Sequence, residues 1–159
     1  MSSSSTTSSS PPSLTELADT LGARLRAPYR HLQRRLYAQL EQKFPDIRRS
    51  HSAVFRHLGE HGARLTDLAD QAEMTKQSMA YLVGHLVERG YLKTGKHPDD
   101  GRAVCVELTA KGRRFIEAAL AASAEIERQI AAELGVRKMA QLRDLLAEVN
   151  EIETRLFAA

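Results

Sequence analysis

The sequence predicts a mainly α-helical fold with one small β-hairpin, and three observations support this prediction. Apolar residues recur at spacings of three, four or seven through most of the chain, as on the buried side of a helix. After Gly90 this spacing changes to an alternation of apolar and polar residues, as in a half-buried strand. The segment HPDDG that precedes the alternation is typical of a turn. At 159 residues the chain is about one domain long and can bury its own core.

The charge of the chain is unevenly distributed. Lys and Arg number 23 and Asp and Glu number 20, which leaves a net charge of +3. Basic residues outnumber acidic ones by eight to four over residues 14–49 and by five to three over residues 75–102, whereas there are eight of each from Lys111 onward. This local positive excess suits a polyanion such as DNA. The absence of Trp argues against an aromatic stacking platform for single strands.

Cysteine content and hydropathy predict a cytoplasmic protein with no membrane partner. The single cysteine, Cys105, excludes an internal disulfide and suits a reducing compartment. No apolar run in the sequence approaches the ~18 residues that a membrane-spanning helix needs. Residues 1–13 are rich in Ser, Thr and Pro and lack the apolar centre of a secretory signal, so we predict a disordered tail there.

Residues 14–49 are predicted to form a long N-terminal helix. Its apolar stripe consists of Leu14, Leu17, Leu21, Leu25, Leu32, Leu36, Leu40 and Phe44. Pro28 removes one backbone hydrogen bond and predicts a kink or a restart, and the Pro45–Asp46 pair predicts the end of the helix. A helix of roughly 30 residues spans about 45 Å, more than a domain of this size needs. We therefore expect the stripe to pack on the C-terminal helices or on a second subunit.

Residues 50–109 are predicted to contain helices joined by a tight turn, which is helix-turn-helix organisation. A helix from about Ser50 to Glu60 comes first. The next helix is short, with Thr66 as its expected N-cap and small alanines on its inner side. Thr75 then caps a helix that ends at Gly90. The buried stripe of this last helix is expected to be Met79, Leu82, Val83 and Leu86.

A β-hairpin, or wing, is predicted directly after these helices. Its strands cover residues 91–96 and 102–108. The expected tip consists of Asp99, Asp100, Gly101 and Arg102. In the second strand we expect one side to hold Val104, Val106 and Leu108 and the other to hold Ala103, Cys105 and Glu107.

Residues 110–159 are predicted to form two C-terminal helices. Thr109 caps the first, which ends at Leu134–Gly135, and the second extends from Val136 to Phe157. The second helix repeats apolar residues in a pattern close to a coiled-coil seam, at Met139, Leu142, Leu146, Val149, Ile152 and Leu156. With the stripe of the long first helix, this pattern predicts dimerisation helices at both ends of the chain.

Two segments, LTDLADQAEMTKQSMAYLVGHLVERGYL and, four residues later, HPDDGRAVCVELTAKG, occur in a specific order and spacing. From about Leu25 to the C-terminus, the chain that contains them resembles the MarR family of bacterial transcription regulators. The helix end Glu88–Leu92, the wing tip Asp100-Gly-Arg102 and the stretch Leu108–Gly112 stand where that family has them. The resemblance implies a homodimeric winged helix-turn-helix repressor with interlocked N- and C-terminal helices. Gly101 departs from the family, which often has a second basic residue there.

The start of the helix that follows Thr75 is the predicted reading surface for the major groove of DNA. Its candidate residues are Thr75, Lys76, Gln77, Ser78 and Tyr81. Gln pairs bidentately with adenine, Lys contacts guanine or a phosphate, and hydroxyls reach either. In the wing, Arg102 is expected to enter the minor groove, Asp100 to hold the turn or orient Arg102, and Lys96 to lie on the incoming strand. The alternatives are an ordinary solvated helix face and a weak surface salt bridge in the wing.

The expected partners are a pseudo-palindromic operator, a second copy of the chain and a small-molecule effector. In such a dimer the two recognition helices lie about 34–36 Å apart. The family resemblance implies an effector pocket between the dimerisation helices and the DNA-binding lobe. Its candidate residues are Tyr29, Arg30, Arg34, Tyr37, His51 and Phe55. Arg30 and Arg34 suit an anionic ligand.

Two other sensing mechanisms and one other class of protein stay open. Cys105 is a candidate oxidant sensor, although no neighbour in the sequence activates its thiol. His57 and His61, four residues apart on the predicted helix, have the spacing of metal ligands. A helical protein that binds only other proteins is the alternative to a DNA-binding regulator. We predict no catalytic residues, metal or cofactor, since the sequence has no Gly-rich phosphate loop, nucleophile elbow or HExxH motif.

Overall fold

The computed structural model describes residues 16, 18–97 and 100–157, and for residues 96, 97 and 100–103 it describes the backbone alone. The predicted tail, residues 1–13, lies outside the described residues. The elements are α1 (Leu21–Glu41), a 3-10 helix (Arg49–His51), α2 (Ser52–His57), β1 (Ala63–Arg64), α3 (Leu65–Gln71), α4 (Lys76–Glu88), β2 (Leu92–His97), β3 (Asp100–Leu108), α5 (Ala110–Leu134) and α6 (Val136–Phe157). Two compact units result, one ending at Arg34 and one beginning at Arg35. The predicted fold class, mainly α with a small hairpin, is confirmed.

Helix α1 continues through Pro28, so the chain does not restart at this proline. A proline in a helix removes a single backbone hydrogen bond, and the turns on both sides remain helical. The apolar stripe is exposed at the start of the helix, where Leu21 is 60% accessible, and buried at its end, where Leu40 is covered. The helix ends at Glu41, before the predicted Pro45–Asp46 terminus.

The helix predicted from Ser50 to Glu60 is shorter than expected. It consists of the 3-10 helix and α2, and it ends at His57 because Leu58 has an extended backbone with ψ of 110°. The chain then turns at Gly62, whose φ is +85°. A Cβ atom at Gly62 would lie 2.5 Å from the Val106 carbonyl oxygen, so a glycine is required for this close approach to β3.

The start of α3 also differs from the prediction. The helix begins at Leu65 with Arg64 as its N-cap residue, so Thr66 lies inside the first turn and its prediction as the N-cap is wrong. The cause is strand β1, which the sequence does not predict. Ala63 and Arg64 pair with β3, and this pairing holds Arg64 extended (φ −70°, ψ 142°) immediately before the helix.

The three strands form one antiparallel sheet in the order β1-β3-β2. In the hairpin, His97 pairs with Asp100, next to an irregularity between Lys96 and His97. Asp100, Gly101 and Arg102 therefore belong to β3, and the prediction that the hairpin tip holds them is wrong. Backbone pairing here extends past the end of the apolar alternation, because ladder hydrogen bonds do not depend on the side chains.

The two sides of β3 also depart from the predicted alternation. Val106 is fully buried as expected, but Cys105 on the other side is buried as well, and Val104 is 46% exposed. Cys105 is covered by β1 and the turn before it. Arg64 is its partner in the sheet register, and a Cβ atom at Gly62 would lie 3.3 Å from the Cys105 sulfur.

The core is built from the helix-turn-helix, the sheet and the start of α5. Its buried side chains include Leu40, Ile47, Val54, Leu68, Leu92, Val106 and Phe115. The predicted buried stripe of α4, at Met79, Leu82, Val83 and Leu86, is confirmed. The ring of Phe115 contacts those of Phe44 and Tyr91, with centroids 5.3 Å and 6.0 Å apart. This core holds α4 by one side and leaves its other side exposed.

Helices α5 and α6 have the predicted bounds. Thr109 caps α5 by accepting the Gly112 N–H at 3.1 Å, and Gly135, with φ of +94°, ends it. Helix α6 has no buried residue in the described part of the chain. Its Leu145 and Leu156 side chains are 59% and 64% exposed.

Candidate nucleic-acid interface

Thr75 is the N-cap of α4, as predicted. Its backbone is extended, and its side-chain oxygen accepts the Ser78 N–H at 3.1 Å. The Thr75 hydroxyl also donates to the Ser78 side-chain oxygen at 2.8 Å. The Thr75 hydroxyl is therefore engaged in the helix start, and the Ser78 hydroxyl lies next to it on the exposed surface.

The predicted major-groove residues of α4 are all exposed, and three of them form one surface. These residues are Lys76, Gln77, Ser78 and Tyr81. Gln77 and Ser78 are four and three residues before Tyr81, so all three side chains lie on the same side of the helix. Tyr81 is 73% exposed, and an exposed large aromatic side chain favours a contact surface.

A cavity of about 590 Å³ lies beside this surface. Its lining comes from the 3-10 helix, α2 and the neighbourhood of α4: Arg49, Ser50, Ser52, Ala53, Met74, Gln77, Ser78, Tyr81 and Leu82. Arg49, Ser50 and Ser52 add hydrogen-bond donors next to the predicted contact residues. These three residues were not among those predicted from the sequence. No local signal marks these residues, because they precede α4 by about 25 positions and meet it only in the folded chain.

The wing residues Lys96, Asp100 and Arg102 have backbone positions in β2 and β3, and their side chains lie outside the described residues. Lys96 is the register partner of Val104. The roles of Lys96, Asp100 and Arg102 in DNA binding stay predictions. Elsewhere in the hairpin, the Lys93 ammonium lies 2.7 Å from the carboxylate of Glu107 across the two strands.

The six predicted effector residues fall into the two compact units. Tyr29, Arg30 and Arg34 belong to the unit that ends at Arg34, and all three are exposed. Tyr37, His51 and Phe55 belong to the other unit, and there they are partly or fully buried. The Phe55 ring packs 4.8 Å from that of Phe115, so it also contributes to the core.

His51 is uncharged at neutral pH. Its Nδ1 accepts the backbone N–H of Arg48 at 3.0 Å, and its ring stacks on His85 with centroids 4.8 Å apart. Burial, followed by the charges of His85 and Arg48, lowers the pKa of His51 from 6.5 to about 4. A neutral His51 offers an N–H donor but no positive charge to an anionic effector.

Acid is expected to destabilise the protein through His51. Because its pKa in the folded state lies below the ordinary value of 6.5, the unfolded chain binds the proton more readily, so stability is lost as pH falls from 6.5 to about 4. At about 1.4 kcal/mol per pKa unit, the free energy of unfolding falls by up to about 3 kcal/mol. Denaturant titration at a series of pH values measures this change.

His51→Asn is the matched test of this assignment, since the Asn oxygen can accept the Arg48 N–H but does not titrate. We expect this variant to lose most of the pH dependence between pH 6.5 and 4, and His31→Asn, at an exposed position of α1, to retain it. An unchanged pH dependence in His51→Asn contradicts the assignment.

The residues considered as other sensors are not assembled into a site. Cys105 is 3% exposed. His57 ends α2 and His61 lies beyond the helix, so the prediction that both share one helix face is wrong. Among the described residues, no group of three or more His, Cys, Asp or Glu is placed to hold a metal ion. Within the same residues, no helix has the length and apolarity to cross a bilayer.

Comparison with known proteins connects this geometry to a family. Residues 47–112 match the family described as winged helix DNA-binding domain. Over 104 residues the chain is 34% identical to the HTH-type transcriptional regulator FarR of Neisseria gonorrhoeae, spanning 65% of this chain and 71% of that protein. NadR, whose structure is known in complex with 4-hydroxyphenylacetate, has 28% sequence identity to this chain. The two structures align with a TM-score of 0.64, over 82% of this chain and 92% of that chain. The repressor CouR bound to a 23-mer DNA duplex shares the fold at 21% identity, with a TM-score of 0.68 over 89% and 99% of the two chains.

The winged-helix match includes α4, the small helix before it and the hairpin after it. The relative with 34% identity, FarR, is a regulator of transcription. The predicted resemblance is thereby confirmed, and the chain belongs to the MarR family of DNA-binding transcriptional regulators.

Proposed function

We propose that this chain is a cytoplasmic homodimeric repressor that binds a pseudo-palindromic operator and leaves it when a small molecule binds. The observation that carries the proposal is the exposed start of α4, where Gln77, Ser78 and Tyr81 project from a helix held by its opposite, buried side. A helix presented in this way fits the major groove with its N-terminal residues toward the base edges.

The proposed contacts with DNA are of two kinds, contacts with bases and contacts with the phosphate backbone. Gln77 pairs with adenine, and Lys76 contacts guanine or a phosphate. The Ser78 hydroxyl contacts a phosphate or a base edge, while Thr75 fixes the helix start by accepting the Ser78 N–H. Arg49 and the serines around it line the same cavity as Gln77 and supply donors for the phosphate backbone.

The wing is proposed to contact the DNA beside the major groove. Arg102 enters the minor groove, where a narrow groove attracts a guanidinium. Asp100 orients Arg102 from the same strand, and Lys96 reaches a phosphate from β2. These three residues extend the footprint beyond the base pairs that α4 contacts.

Gln77→Ala is expected to relax sequence preference at a single base position of each half-site. Loss of a bidentate pair removes about 1–3 kcal/mol of discrimination against the wrong base, roughly five- to 150-fold in relative affinity. The measurement is binding to a set of duplexes that differ from the selected operator at one position each. Gln71→Ala, the same change at an exposed position in α3, is the control. Equal weakening on every duplex would make Gln77 a positioning residue instead.

The dimer is proposed from α6. No residue of this 22-residue helix is buried in the described chain, although it carries a regular stripe of leucines and isoleucine. Exposed apolar area of this extent is typical of an interface. A second copy of the chain covers it and places the second α4 at the other half-site, about 34–36 Å away.

The effector is proposed to be a small aromatic anion. The MarR-type structure of NadR contains 4-hydroxyphenylacetate, a ligand of this chemistry. In this chain, Arg30 and Arg34 are the candidates for the carboxylate, since His51 is uncharged. Tyr29, Tyr37 and Phe55 are the candidates for the ring. Such a ligand releases DNA if it binds more tightly to a dimer whose α4 helices have the wrong spacing.

The test is selection of bound fragments from genomic DNA, followed by screening of aromatic carboxylates for release. We expect selected fragments to share an inverted repeat and their affinity to fall steeply with salt. Absence of salt-dependent binding to any fragment would favour a protein-only interaction module. If no screened acid releases the DNA, the proposed class of effector is excluded, but the proposed role as a DNA-binding regulator is not.

A further inference from the structure

The C-terminal end of α4 is tied to α5 by a lysine. Arg89 is the C-cap residue of α4, and its carbonyl oxygen accepts a hydrogen bond from the Lys111 ammonium at 2.8 Å. The last carbonyls of a helix lack intrahelical donors and carry partial negative charge, so a cation is favourable there. Lys111 belongs to the first turn of α5, and its ammonium also lies 4.1 Å from the centre of the Tyr91 ring. This lysine thus contacts both the end of α4 and the residue that precedes β2.

Asp46 joins this group from the loop that follows α1. One of its carboxylate oxygens lies 3.3 Å from the Arg89 guanidinium, and the other lies 3.7 Å from the Lys111 ammonium. One anion therefore separates two cations that otherwise repel each other. Burial raises the pKa of Tyr91, and the charge of Asp46 adds to this rise, so the carboxylate also acts on the tyrosine. Asp46, Arg89 and Lys111 are called the helix-end cluster below.

Hydrogen bonds to the backbone reinforce the helix-end cluster. The Thr109 N–H donates to the Tyr91 carbonyl oxygen at 3.0 Å, and its hydroxyl donates to the Gly90 carbonyl oxygen at 2.6 Å. At the other end of α4 the cap is internal to the helix, between Thr75 and Ser78. Besides the buried stripe along its side, helix α4 is therefore held by polar contacts at the end remote from its proposed contacts with bases.

Contacts at this end contribute to where the other end lies. A helix of 13 residues is about 20 Å long, so a rotation of about 5° about one end moves the other by about 1.7 Å. Donor–acceptor distances in hydrogen bonds vary over only about 0.5 Å. A small change at Arg89 is therefore enough to misplace Gln77 relative to a base edge.

We propose that Asp46 and Lys111 are positioning residues for DNA reading, which orient α4 through Arg89 without touching DNA themselves. This inference rests on the proposed function, in which α4 reads the major groove. It assigns a role to a loop after α1 and to the first turn of α5, both outside the helix-turn-helix.

Asp46→Asn distinguishes a positioning role from a purely electrostatic one, because the two roles predict opposite changes in operator affinity. Removing a negative charge from the surface raises affinity for a polyanion if electrostatics alone acts. If Asp46 positions α4, operator affinity instead falls by about tenfold, the value of one well-formed base contact, while affinity for an unrelated duplex of equal length does not fall. Surface ion pairs contribute little to stability, so the variant is expected to fold, and its unfolding transition verifies this.

Asp70→Asn is the control, since it removes the same charge from an exposed position in α3. It is expected to leave operator affinity unchanged or slightly raised. If Asp46→Asn behaves like Asp70→Asn on the operator, the positioning role is overturned. If the wild-type chain itself selects no duplex, the proposed function fails, and this outcome is recognised before any variant is compared.

Lys111→Met supplies an independent measurement through a double-mutant cycle. Residues that act through one contact network have non-additive effects. Positioning therefore predicts that Asp46→Asn combined with Lys111→Met binds the operator no more weakly than Lys111→Met alone. If Lys111 instead contacts a phosphate directly, its substitution weakens the operator and the unrelated duplex equally, and the two effects add. That result overturns the proposal.

Discussion

Gly112→Ala is expected to lower the free energy of unfolding by about 3 kcal/mol, the upper end of what an added methyl group usually costs in a packed site. A Cβ atom at Gly112 would lie 2.2 Å from the Tyr91 carbonyl oxygen and 2.9 Å from a methyl group of Leu108. The carbonyl cannot withdraw, because it accepts the Thr109 N–H at 3.0 Å. The added methyl group therefore separates α5 from the end of α4.

Denaturant unfolding measures this effect, with Gly84→Ala as the matched control. Both glycines are inside helices, but nothing lies within 4 Å of a Cβ atom built at Gly84. Alanine is favoured over glycine in a helix interior by roughly 0.5–1 kcal/mol, so Gly84→Ala is expected to raise stability by about that amount. Equal stability of the two variants would contradict the close approach of Tyr91 to Gly112.

Leu145→Glu combined with Leu156→Glu is expected to separate the proposed dimer into monomers. The two leucines are eleven residues apart, three turns of helix, so they lie on the same side of α6, and both are more than half exposed in the single chain. Burying two carboxylates at an apolar interface without partners opposes association strongly. A monomer engages one half-site only, and loss of the second contact lowers operator affinity by about 10²–10⁴-fold.

Analytical ultracentrifugation and operator binding measure the two consequences. Ala140→Glu combined with Ala147→Glu is the control, because it adds the same charges at exposed positions on the opposite side of α6. The control is expected to sediment as the wild type does. A dimer that survives the leucine substitutions would place the interface elsewhere, and a monomer with unchanged operator affinity would show that dimerisation is not needed for binding.

Local signals were sufficient to predict α4 and α5. The Thr75 cap depends on a hydrogen bond to a residue three positions away, and the same is true of the Thr109 cap. The buried stripe of α4 follows from helical periodicity, and a glycine at a positive φ closes α5 as expected. These features involve interactions over at most four residues, which a single sequence contains in full.

Predictions failed where a distant segment determined the local structure. Thr66 has the chemistry of an N-cap, but the pairing of β1 with β3 moved the start of α3 to Leu65. Cys105 has the alternation of an outward residue, but β1 and the turn at Gly62 cover it. A strand of two residues has no periodicity of its own, so the sequence contains no pattern from which β1 can be predicted.

The sequence by itself determined the helix-turn-helix order, the hairpin after it, the caps of α4 and α5, and the residues that α4 presents. Only the tertiary structure decided that Arg49 lines the same cavity as Gln77 and that the helix-end cluster anchors α4. The physical reason is the range of the interactions. Caps and stripes act within one or two turns, whereas the helix-end cluster joins residues 43 and 22 positions apart that meet only after the core has packed.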